Sequence, residues 1–330
     1  MGLTKFPFGV SSFGIPQLGN DGLIPTTSGS YFWVDSDAES GGNGSYEKPY
    51  TTLELAYAAC TDSMGDVIIM KPTHSETVSA ATGIVLSKIG VSIIGLGQGA
   101  LRPTFTLTGT AATCTMNVTG ASQVLRNFIV TAGVDELVTA ITVGAASVTI
   151  EGVEYRESST AYQALSFITN DANANFMTVR GCRAMQLTAA NGNAPCITMV
   201  GADDCIIEDN YIVWIGANNA ATCGISSTGT ATLRTILRNN IIHATGGNAV
   251  LGISMVASST GIAVLIYARA IAAISLAETT MAIGDASHAQ TTSSRIAGTS
   301  PAAHLAGTST IRAYSCVIIT SSSVTSHVAR

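Results

Sequence analysis

Leu125-Arg126-Asn127-Phe128 returns, with its chemistry kept, as Ile150-Glu151-Gly152-Val153, Val179-Arg180-Gly181-Cys182, Ile207-Glu208-Asp209-Asn210 and Leu237-Arg238-Asn239-Asn240. The first place is always aliphatic. The third reads Asn, Gly, Gly, Asp, Asn, residue types that accept positive φ where a chain turns a tight corner. The second alternates in sign: Arg126, Glu151, Arg180, Glu208, Arg238. If each window belongs to one turn of a stack, these side chains form an outer column about 4.8 Å apart. Opposite charges side by side on a sheet contribute about 0.2–1 kcal/mol each. A one-residue slip would turn the charges inward, so the column also sets register. We read it as a structural charge ladder.

Working outward, one inward aliphatic per repeat can be followed as Ile94, Leu125, Ile150, Val179, Ile207, Leu237 and Leu265, at spacings of 25 to 31 residues. Short alternating strands fill the intervals, each followed by Gly, Asn or Asp. No amphipathic helix lies between them, which excludes helical solenoids and βαβ units, since both need a helix per repeat. The pattern predicts an all-β chain: a single-stranded parallel β-helix, three short strands per turn, seven to eight turns from about Asp66 to Ala277. Its two ends are unpaired sheet edges. Thr51–Cys60 has helical spacing, with Thr51 and Glu54 as a capping box, and is the expected cap of the first end. Residues 278–330 are expected to cap the other end or to pair between chains.

Residues 1–30 differ from the body 31–277. Gly and Pro recur every few positions, with Phe6, Phe8, Val10, Phe13 and Ile15 between them. No period survives, so an extended arm is expected. So apolar an arm needs a surface to lie on, either its own body or a neighbouring chain.

Composition narrows the function. Of 330 residues, 46% are hydrophobic and 11% charged, with net charge −6. That excludes a disordered polyelectrolyte and a charge-rich coiled coil, and leaves no basic surplus for nucleic acid. Seven cysteines without a CxxC pair read as buried free thiols from a reducing compartment. Pro7 and Gly9 interrupt any signal-peptide core after Lys5, and Arg269 interrupts the longest apolar stretch, Gly261 to Ala277, so no membrane span is expected.

The chemistry-bearing residues are sparse. His74, His243, His288, His304 and His327 have no metal-ligand spacing and read as surface or loop residues; neither a metal nor a cofactor is expected. Gly95-Leu96-Gly97-Gln98-Gly99 precedes no helical pattern and reads as a turn. The catalytic candidates are carboxylates: Asp203 and Asp204 at a corner, Asp171 in the loop one turn before, and Glu208. Glycoside hydrolysis needs two carboxyls about 5–9.5 Å apart, a separation that neighbouring turns could supply. Tyr155, Tyr162, Tyr211 and Trp214 are the nearby aromatics for stacking on sugar, Trp214 being equally readable as core.

Tyr31–Val34, the Gly/Asn-rich loop to Pro49-Tyr50-Thr51-Thr52-Leu53, and Gly65-Asp66-Val67-Ile68 together resemble the opening segment of pectate-lyase-like right-handed β-helices. The resemblance spans about residues 31–277 and implies a right-handed coil. Lyase activity is not implied, because the family's calcium-binding aspartates and catalytic arginine have no matching motif. Gly2-Leu3-Thr4-Lys5-Phe6-Pro7 to Gly14-Ile15-Pro16 resembles the start of tailed-bacteriophage virion proteins. That second resemblance implies a homotrimeric virion protein assembled in the bacterial cytoplasm. The expectation is a non-enzymatic capsid decoration or head-fibre protein, its arm held by the major capsid protein or the connector. The alternative is a tailspike that binds or cleaves a host surface glycan.

Overall fold

The computed structural model of the chain describes residues 27–157, 159–187, 194–215, 223–245, 251–256 and 258–264. It also describes strand backbone at Val10–Ser12, Ile15–Gln17, Tyr267–Ala270, Ala272–Leu276, Thr280–Thr291, Ile296–Ala297 and Tyr314–Thr320. The short β-branched runs form strands, and every pairing outside the arm is parallel. A first ladder stacks Val67–Met70, Ser92–Gly95, Val124–Arg126, Thr149–Glu151, Thr178–Arg180, Ile206–Glu208 and Thr235–Arg238. A second runs from Ser75–Val78 to Ile241–Thr245, and a third from Ile84–Leu86 to Leu251–Met255. Each turn of chain thus lays one strand in each ladder, which is a parallel β-solenoid. Thr280–Thr291 pairs with both Thr260–Val264 and Tyr267–Ala270, joining the first two ladders into one sheet.

The windows stack as read. Leu125, Ile150, Val179, Ile207 and Leu237 lie in register and are fully buried. Such a side chain contributes about 1.5–3 kcal/mol by leaving water. The register departs from the sequence markers at both ends. Leu125 pairs with Ile93, not Ile94; Ile94 lies in a separate apolar cluster with Val67 and Ile69, so its hydrophobicity misled the marker. Leu237 pairs with Ala263, and Leu265 lies outside the described residues.

The third-place residues hold left-handed backbone, with φ of 58° at Asn127, 61° at Gly152, 59° at Gly181, 57° at Asp209 and 53° at Asn239. Asn127, Gly152, Gly181 and Asp209 each donate a backbone N–H to the carbonyl one turn on. The fourth-place residues point into the corner. There Asn240 Oδ1 accepts from Asn210 N and Nδ2, at 3.2 and 3.0 Å, and Asn210 Oδ1 accepts from Cys182 N at 2.9 Å. These buried amides satisfy backbone groups that a tight turn leaves over.

A helix, Leu53–Ala59, packs Leu53, Ala56 and Tyr57 against the first turn. Its N-cap is Thr52, whose hydroxyl accepts from Leu55 N, and Glu76 takes Leu53 N. The expected Thr51/Glu54 box does not form: the cap is Thr52, one residue on, and the residue three after it is Leu55, which has no carboxylate to reach back. Lys88 Nζ donates to the carbonyls of Tyr57, Ala58 and Cys60. Asp66, 2% exposed, accepts from Ser30 N and Thr61 N, which ties the Gly65-Asp66 step to both flanks of the cap.

Candidate functional site

The charge ladder is one contiguous column. Arg126, Glu151, Arg180, Glu208 and Arg238 are direct cross-strand neighbours. Glu151 Oε2 accepts from Arg126 Nε at 3.0 Å and Arg180 Nη2 at 2.8 Å, and Glu208 Oε2 accepts from Arg238 Nε. Burial alone would push the Glu151 carboxyl up; hydrogen bonds from Arg180 and Arg126, and their charges, outweigh it and hold the group below its ordinary value. Glu154 behaves likewise between Arg156 and Arg102.

A second left-handed column turns the chain from the third ladder into the first. It comprises Ser122, Ser147, Phe176, Asp204 and Arg234, with φ between 55° and 61°. Backbone N–H groups of Ser147, Phe176 and Asp204 donate to Asn175, Asp203 and Leu233 carbonyls one turn on. Arg234 closes a two-pronged pair on Asp204, Nε to Oδ1 at 2.6 Å and Nη2 to Oδ2 at 2.7 Å, and reaches Asp203 Oδ2 at 3.4 Å. The Arg234 hydrogen bonds and charge hold the Asp204 carboxyl low.

Of the four candidate carboxylates, Asp203 and Asp204 are brought together, their Oδ2 atoms both meeting Arg234 Nη2, at 3.4 and 2.7 Å. Glu208 stands in the first ladder and pairs with Arg238 instead. Asp171 closes an Asx turn onto Asn173 N at 2.8 Å; it lies four positions before Asn175, the residue whose amide oxygen meets Asp203 N. A general acid needs a raised pKa, and at Glu151, Glu154 and Asp204 the arginines drive it the other way.

One column of the third ladder is Asn117, Thr142, Thr169, Thr198, Ser226 and Ser254, polar but without a titratable group, and Thr198 and Ser226 in it are buried. The second ladder is different. Glu154, Arg183, Tyr211 and Ile241 follow one another outward. The Arg183 guanidinium stands 5.3 Å from the Tyr211 ring centre, and the rings of Tyr211 and His243 lie 5.8 Å apart. A cleft of about 380 Å³ lies in the loop before the cap helix, among Asp35, Glu39, Glu47, Lys48 and Lys71.

Several sequence expectations need correction. His74 is buried, its ring edge-on to Phe105 and its Nε2 3.3 Å from Glu76, because it sits at the corner beneath the cap helix. Tyr155 and Trp214 are core residues, 5.8 Å apart at their ring centres, and offer no sugar-stacking face. Tyr162 is exposed. Cys60, Cys114, Cys182, Cys196 and Cys205 are buried free thiols, and burial pushes Cys182 up to about 12. Phe176 carries no signal in its immediate sequence; only the corner column, in which it follows two serines, exposes it as unusual. Among the described residues no three His, Cys, Asp or Glu side chains gather as a metal site. In the arm, Val10–Ser12 pairs antiparallel with Ile15–Gln17. Phe6, Phe8 and Phe13, and the side chains of Val10 and Ile15, lie outside the described residues.

No protein-family profile matches the chain, and no curated protein sequence matches it. Solved structures do resemble it. A rhamnogalacturonan lyase superposes with a TM-score of 0.60 at 13% identity, covering 78% of this chain and 72% of that one. A pectate lyase, Pel9A, superposes with a TM-score of 0.53 at 13% identity, covering 78% and 68%. The shared property is the pectate-lyase-like β-solenoid fold; a fold by itself carries no activity.

Proposed function

We propose that this chain is a non-catalytic structural protein of a tailed-phage particle, a capsid decoration or head-fibre component. In this reading the solenoid is a rigid body, and residues 1–30 anchor it to the major capsid protein or the connector through Phe6, Phe8, Val10, Phe13 and Ile15. Copies act as a homotrimer, and many anchored copies convert modest contacts into avidity. The observation that carries the non-catalytic half is the commitment of the carboxylates: Glu151, Glu154, Asp204 and Glu208 each lie in an arginine pair. The particle half rests on the resemblance of the opening segment. Deleting residues 2–20 tests it. Truncated protein is expected to keep its melting profile, since the first body strand is Tyr31–Val34, and to vanish from purified particles. Full incorporation of the truncated chain refutes the anchor.

A second reading, a receptor-binding protein that holds a host surface polysaccharide, is favoured by the outward Arg183, Tyr211 and His243. Proteins of this fold include a rhamnogalacturonan lyase and a pectate lyase. Retention of the purified body on immobilised polysaccharide tests that reading.

A further inference from the structure

Phe176 stands where the fold least rewards it. Its backbone is left-handed, φ 61°, and its side chain is 58% exposed. Left-handed backbone is unfavourable for a bulky side chain, and a ring left more than half exposed gains only part of what burial would contribute. At the equivalent corners the column carries Ser122, Ser147, Asp204 and Arg234, which are polar, and the other corner column carries only Asn, Gly and Asp. A residue placed against two stability preferences, on a rigid element, is held there for what its ring touches.

The surroundings identify that contact. Phe176 N donates to Asp203 O at 2.9 Å, which places the Phe176 backbone one turn, about 4.8 Å, from Asp204, whose carboxylate forks with Arg234 of the next turn. The hydroxyl of Ser147 lies one turn to the other side. The corner residues follow one another along the solenoid axis as Ser147, Phe176, Asp204 and Arg234, a hydroxyl, an exposed aromatic, a carboxylate and a guanidinium. A pyranose ring has the matching parts, an apolar C–H face and a rim of hydroxyls that both donate and accept. An extended peptide could not add as a strand here, because the backbone N–H groups of Ser147, Phe176 and Asp204 are already bonded within the solenoid. Asp203 and Asp204 oppose a nucleic acid.

We propose that Phe176, Asp204 and Arg234 form a carbohydrate-binding ridge, with a neutral pyranoside stacked on the Phe176 ring and hydrogen-bonded by the fork. The site deepens the receptor-binding reading and rests on it for the ligand class; it binds without cleaving. The test uses the full chain, with Phe176→Asn, Phe176→Tyr and Arg234→Ala, against a panel of cellohexaose, chitohexaose, maltohexaose and hexagalacturonate. The expected result is binding of a neutral hexaose by the wild type. Phe176→Asn should weaken it at least tenfold while melting at the same temperature or higher, since Asn accepts the backbone. Phe176→Tyr should restore it, and Arg234→Ala should weaken it.

Four outcomes overturn the ridge. One is wild-type binding that Phe176→Asn leaves intact, which sinks this site and spares the receptor-binding reading. Another is a melting temperature lowered by several degrees in Phe176→Asn, which makes the ring structural. The third is a change of oligomeric state in that variant, which makes the ring a contact between copies. Failure of the wild type to bind any of the four sugars overturns the ridge together with the glycan reading, and leaves particle anchoring to its own test.

Discussion

Reversing the charge at Glu151 should destabilise the solenoid. Glu151 accepts from Arg126 below and Arg180 above. Glu151→Lys removes both favourable neighbours and creates two like-charged ones. Each of the four changes amounts to about 0.2–1 kcal/mol for adjacent strand positions. The three side chains are 29%, 19% and 43% exposed, so water screens them and the lower part of the range applies. A loss of about 1–2 kcal/mol follows, or about 2–8 °C in melting temperature at the usual 2–4 °C per kcal/mol for a body of this size. A solenoid need not unfold in one step, so the urea midpoint should be read together with hydrogen exchange. The Gly152 and Gly181 amides, bonded across the same turns, are expected to lose protection first. In 1 M salt, with a screening length of about 3 Å, the deficit should shrink. Reversing the whole column, Arg126→Glu, Glu151→Arg, Arg180→Glu, Glu208→Arg and Arg238→Glu, keeps every neighbouring pair opposite in sign and should recover most of the loss. A Glu151→Lys variant within about 0.3 kcal/mol of wild type, or a fully reversed column no better than the single variant, would refute register-setting by charge.

Acidification should destabilise the fold. Glu151, Glu154 and Asp204 have folded-state pKa values below their ordinary ones. Their contribution is whole above the ordinary 4.5 of Glu and 3.8 of Asp and fades as pH falls through the lowered values. Urea midpoints should be flat from pH 7 to about 5.5 and decline below about 4.5; a maximum at pH 3 would contradict these pairs. Replacing Asn240 by Leu should cost about 2–3 kcal/mol by equilibrium unfolding, because Asn210 loses its acceptor and the Ile207 carbonyl its donor inside a dry corner; an unchanged midpoint would deny the amides their role. Lys88→Met strips three carbonyls of a shared cation and should accelerate exchange in residues 53–60 at least tenfold while leaving the coils beyond Leu125 unaffected. Cys182, its thiol pushed up to about 12, should resist thiol reagents in the native state and react only in denaturant, as judged by peptide mapping.

Where the chemistry of a position repeats, its place was legible. An aliphatic, a charge, a positive-φ residue and an inward corner residue specify a strand end without knowledge of any partner, and Leu125 to Leu237 stack as that pattern requires. The reading slipped where local hydrophobicity was ambiguous. Ile93 and Ile94 are both fully buried, one inward and one in an outer cluster, and no alternation rule separates two adjacent isoleucines. The cap fell on Thr52 and not on Thr51, two adjacent threonines that local sequence does not separate, and Glu76 from another turn takes Leu53 N.

The candidate site was less legible. Its parts come from residues about thirty apart, brought together by turns whose lengths differ. Asp203 and Asp204 look like a catalytic pair in the chain and become an ion pair only when the next turn delivers Arg234. Glu154 meets Arg102 from across two turns, and the burial of His74 is set by the cap above it. Phe176 looks like one more core phenylalanine until the corner column turns its ring outward. The sequence by itself determined the repeating unit, because side-chain alternation and positive-φ tolerance are properties of single residues and near neighbours. The tertiary structure decided which charges meet, which thiols and rings are hidden and which ring is presented, because those depend on which residue the next turn lays 4.8 Å away, and that follows from turn lengths summed along the whole coil.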